Sequence, residues 1–64
     1  MRVYQNAYLN THGKRPRGFG NWWFAMLVGD ETETVTEQGM YAEASRRALE
    51  RAREIGASVV HVLP

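Results

Sequence analysis

Lys14, Arg15 and Arg17 lie within four consecutive residues, and Gly13, Gly18 and Gly20 bracket them. Phe19 follows at once, and then the run Trp22, Trp23 and Phe24. Cations spaced by glycine suit one chemistry above others, the contact of side-chain N–H groups with phosphate oxygens. Phe19 next to them offers a ring on which a base can stack, a contact worth about 1–3 kcal/mol. His12, just upstream, adds a further donor for phosphate. No carboxylate precedes Asp30, and that acid-free stretch also holds Arg2. Carboxylate acid–base chemistry therefore has no residues to work with before Asp30.

Other reactive constellations are missing. The chain has no Cys, so it has neither a disulfide nor a thiolate zinc site. His12 and His61 are the only imidazoles and stand far apart, without metal-ligand spacing. No Ser, His and acid fall into a nucleophile motif. The expectation is a non-enzymatic domain with no catalytic residues, no metal and no cofactor. His61 reads as a partly buried structural residue. Arg46, Arg47, Arg51 and Arg53 interleave with Glu43, Glu50 and Glu54 as a solvated helix face. Arg47 and Arg51, one turn apart, would extend the basic surface if the loop packs nearby.

The net charge of +1 hides a segregation. Residues 1–29 carry +4, residues 30–37 carry −4 and residues 38–64 carry +1. Such asymmetry governs the choice of partner more than the total does. Sixty-four residues make a single domain, 1–64, and a chain this short buries only about 60% of its unfolded surface. A hydrophobic fraction of 44% still argues for a packed core. Pairing is a common remedy at this size, so a homodimer or a bound protein partner is expected. No apolar run approaches a membrane span and no signal-peptide pattern opens the chain, so the expected location is cytoplasmic.

The elements that must hold these residues follow from periodicity. Met1, Val3, Ala7 and Leu9 alternate with Arg2, Tyr4, Asn6 and Tyr8, which predicts a first strand. Residues 10–20 predict a long loop joining it to a second strand. Trp22–Val28 reads as a central strand, Gly29-Asp30 as a tight turn and Glu31–Glu37 as a threonine-rich edge strand guarded by charge. Met40–Ile55 has helical spacing, with Ala44, Ala48 and Ala52 in its apolar stripe and Gly56 as the C-cap. Val59–Val62 closes as a short buried strand. The fold class is α+β in the order β-β-β-α-β, one antiparallel or mixed sheet with a single helix on one face. The other face would expose Tyr4, Tyr8 and one of Trp22 and Trp23. A strand holding both tryptophans sends them to opposite sides, one to the core and the other to an interface or a ligand platform.

This layout resembles the first half of the RNase H fold. The features that carry the likeness are the loop with Gly13, Pro16, Gly18 and Gly20, the strand Trp22-Trp23-Phe24-Ala25 and the helix opening Tyr41-Ala42-Glu43-Ala44. The ending Val59-Val60-His61-Val62 takes the place of the fourth strand. The resemblance implies a first-strand acid at or near Asn6, which here is an amide. It implies a helix acid at Glu43 and a third acid past Pro64. A pair of divalent cations needs clustered oxygen anions, so the expectation is the scaffold without the nuclease activity. The same half-fold is similar to HicB-type antitoxins, which implies a protein partner. From the residues themselves, the expected function is contact with nucleic acid or another polyanion. Its site is the loop 11–20 with His12, Lys14, Arg15, Arg17 and Phe19, and its interface residues are Tyr4, Tyr8, Trp22 and Trp23. The alternative is a protein-interaction module, an antitoxin, adaptor or phage-type inhibitor using the open sheet face.

Overall fold

The computed structural model describes all 64 residues. Its elements are β1 (Val3–Tyr4), α1 (Asn6–His12), β2 (Phe19–Val28), β3 (Glu31–Met40), α2 (Tyr41–Ile55) and β4 (Val59–Val62). They form one mixed sheet in the order β1-β4-β2-β3. β1 runs parallel to β4, and β2 runs antiparallel to both β4 and β3. The class is α+β, as expected, with two helices rather than one.

The hairpin is the most regular part. β2 and β3 pair without interruption from Phe19↔Met40 to Val28↔Glu31. Gly29 supplies the positive φ (61°) that so short a turn demands. β3 lies at the sheet edge, and its threonines and glutamates suit that position.

The core comes from three elements. Alternate residues Trp22, Phe24 and Met26 of β2 and Val60 and Val62 of β4 are buried on one face. α2 covers that face with Ala44, Ala48 and Ala52, all fully buried, so its axis can approach closely where bulkier residues would hold it off. Gly56 ends the helix in the left-handed conformation, and its N–H reaches back to the carbonyls of Ala52 and Arg53. Tyr41 sets its ring edge against Trp22 at 5.0 Å, and Gln5 donates a 3.1 Å hydrogen bond to its hydroxyl.

The first nine residues depart from the expected strand. Only Val3–Tyr4 is extended, and Asn6–His12 is a helix, so the order is β-α-β-β-α-β. The expected order β-β-β-α-β matches the succession β2-β3-α2-β4 and departs here. Helical spacing brings Tyr8 and His12 together as stacked rings 4.1 Å apart. Tyr8 also packs 5.9 Å from Trp22, on the helix-covered side of the sheet. Gly13 caps this helix at φ 71°, donating its N–H to the Leu9 carbonyl. An alternation as short as this one suits either element. The aromatic contact with Trp22 and the glycine cap favour the helix.

Candidate polyanion-binding loop

α1 ends at His12, so the loop proper is Gly13–Gly18, shorter than the 10–20 expected. It is tied down at three points. Gly13 caps α1, Pro16 is buried, and the Tyr41 N–H donates to the Gly18 carbonyl at 2.8 Å. Between these anchors Lys14, Arg15 and Arg17 are all exposed. A loop held this way keeps its cations grouped, so any contact they made would cost less ordering.

None of the three has a carboxylate partner. The one ion pair in the molecule joins Arg47 Nε to Glu37 Oε1 at 2.8 Å. A second Arg47 nitrogen donates to the Gln38 carbonyl at 2.6 Å, fastening α2 to the edge strand. Arg47 is therefore occupied within the fold, which corrects the expectation that it extends the basic surface.

Phe19 leaves the loop as the first residue of β2 and is 72% exposed, opposite Met40 at 51%. Trp23 is 52% exposed, whereas Trp22 is only 8% exposed and donates its indole N–H to the Gly39 carbonyl at 3.0 Å. The two tryptophans divide as the alternation requires, with Trp22 in the core. Tyr4 stands exposed on the same open face as Trp23. Tyr8 does not, because it belongs to α1 on the opposite side. That corrects its expected place among the exposed interface residues. His61 is exposed on the open face, its ring 5.4 Å from that of Tyr4, and is not the partly buried residue expected. His12 is exposed at the last turn of α1, stacked on Tyr8, so it borders the loop without belonging to it.

Arg2 joins the site in a way the linear order concealed. It lines a cleft of about 320 Å³ together with Arg15, closed by Val3–Asn6 and Leu9. Its guanidinium carbon also stands 5.1 Å from the centre of the Tyr4 ring. No carboxylate lines this cleft. The signal in the sequence was the fourth cation of the acid-free stretch, twelve positions upstream of Lys14.

The two positions matched to acids in the RNase H resemblance are Asn6, which begins α1, and Glu43, exposed in the first turn of α2. No three His, Asp or Glu side chains gather where they could hold a metal ion. No helix is long and apolar enough to cross a membrane. Comparison with protein-family models, with curated proteins and with solved structures finds no match to this chain in any of the three.

Proposed function

We propose that this chain is a non-enzymatic binding domain that contacts nucleic acid or another polyanion through its basic loop. The observation that carries this reading is the exposure of Lys14, Arg15 and Arg17 with no carboxylate partner, while the fold's single ion pair goes to Arg47. Unpaired cations on a surface are free to replace the counterions condensed on phosphates. Each phosphate so neutralised steepens the fall of log K with log salt by roughly 0.7–0.9. Three contacts predict a slope of about −2 to −3.

Titration of random-sequence oligonucleotides at several salt concentrations tests this directly. The variant Lys14→Ala, Arg15→Ala, Arg17→Ala should keep its circular dichroism spectrum, lose most of its affinity and flatten the slope by about two or more. A triple variant that binds like the parent ends the reading.

One observation favours a protein partner as a second reading. The outer edge of β3, ten residues long, pairs with nothing in the chain. An unpaired edge can accept a strand from another molecule or from a second copy. A homodimer of this kind would double the number of basic loops. Solution size by sedimentation and capture of a co-purifying protein separate this reading from the first.

A further inference from the structure

Every second side chain of β2, β3 and β4 points away from the helices, and that outward set contains no carboxylate. β2 contributes Phe19, Trp23 and Leu27, and β3 contributes Thr32, Thr34 and Thr36 in cross-strand register. One row crosses all four strands, from Tyr4 to His61, to Ala25, to Thr34. The acids of β3 lie on the other side. Glu31, Glu33 and Glu37 pair with Val28, Met26 and Trp22, on the face that α2 covers. Glu43, Glu50 and Glu54 belong to α2 itself, and Asp30 sits in the turn at the far end of the hairpin from Phe19. A sheet face with Phe19, Trp23, Leu27, Met40 and Tyr4 exposed is a binding surface. Its freedom from negative charge selects a polyanion over a basic partner.

We propose that this open face is a stacking platform for single-stranded nucleic acid, an inference that rests on the polyanion reading of the loop. Phe19 and Trp23 are on one face, four residues apart, so about 13 Å separates them along the strand. Bases in a duplex repeat every ~3.4 Å and stay in their stack. Only an unstacked strand can lay a base on each ring. The sheet has four strands, whereas the major groove of DNA admits a helix or a two-stranded ribbon. Ala25, between Trp23 and Leu27, leaves a low floor beside the indole. The threonine hydroxyls, with Asn21 and Gln38, offer uncharged donors and acceptors to base edges. Phosphates then lie along the margin, met by the cations of the loop that leads into Phe19 and by the Arg2–Arg15 cleft, which Tyr4 also lines.

Decamers of thymidylate or uridylate and a blunt duplex of equal length are the probes. Trp23 is the exposed tryptophan, so quenching of intrinsic fluorescence as a single strand binds reports stacking on this face. Phe19→Ala and Trp23→Ala should each weaken single-strand binding by roughly 5- to 150-fold and leave duplex binding unchanged. Trp23→Phe should restore most of the loss. If both alanine variants bind single strands like the parent while the triple loop variant does not, the platform is refuted and the loop reading stands. If the triple variant also binds like the parent, the loop reading itself has failed. Equal affinity for single strand and duplex also overturns the platform. So does a change from dimer to monomer in Trp23→Ala with oligonucleotide affinity intact, because the face then belongs to a second copy.

Discussion

Trp22 and Trp23 are neighbours in one strand and live in different environments. On Trp22's side of β2 the sheet is sealed by an alanine-lined helix, and the aromatic rings of Tyr8 and Tyr41 close around the indole. All three glutamates of β3 project on that side too. On Trp23's side there is no covering element, no acid and a row of exposed rings and threonines. A single strand thus differs between its two parities, one holding the domain together and the other left uncovered. In so small a domain the second set is expensive to expose, because exposed rings add nothing to the core. Their exposure is therefore informative about function in a way that Trp22's burial is not.

The sharpest way to break this comparison is to truncate each tryptophan. Trp22→Ala should cost about 3–5 kcal/mol, enough to unfold a domain of this size or to lower its urea midpoint drastically. Trp23→Ala should stay within about 0.5 kcal/mol of the parent in the same titration. Equal losses would mean that the faces are not distinct. A smaller effect probes how the sealed face is fastened. Gly39 sits at φ 135°, and an added Cβ would come within 3.2 Å of an Arg47 guanidinium nitrogen. Gly39→Ala should cost about 1–3 kcal/mol through backbone strain and displacement of Arg47, read as a fall in melting temperature. A neutral result would show that Arg47 and Glu37 do not clamp α2 to the edge strand.

The mildest test is alkaline. Burial pushes the Tyr41 hydroxyl up from its ordinary value of 10.0, against a lowering contribution from the Gln5 hydrogen bond. The folded state then holds this proton more tightly than the unfolded chain does. The associated stability is complete below pH 10 and drains away as the pH climbs through the raised folded value. Tyr41→Phe should lie within about 1 kcal/mol of the parent near neutrality and show a shallower alkaline decline. Melting temperature followed against pH distinguishes the two curves. An unchanged decline would assign it to other groups.

Much of the covered face was legible in the sequence. The alanine spacing at 44, 48 and 52 and the glycine after Ile55 define α2 almost to the residue. The Gly29-Asp30 pair between two strand-forming runs defines the hairpin. These are local signals, set by backbone preference and by which residues recur at a given period. The basic loop was equally plain as a cluster of types, although its first residues belong to α1. That error came from reading an alternation where Tyr8 and His12, four apart, also fit a helix. Tyr8's contact with Trp22, supplied from β2, lies outside any local window.

Chain order alone thus determined that the stretch up to Gly29 carries cations and most of the rings without an acid, that acids begin at Asp30, and that two adjacent tryptophans must part. Which tryptophan goes inward depended on where α2 and β4 pack against β2, and no local pattern holds that information. The same is true of the encounter of Arg2 with Arg15, which α1 brings about by turning the chain back, and of the acid-free face. That face exists because strand register sends every β3 glutamate to the helix side, and register is a property of paired strands.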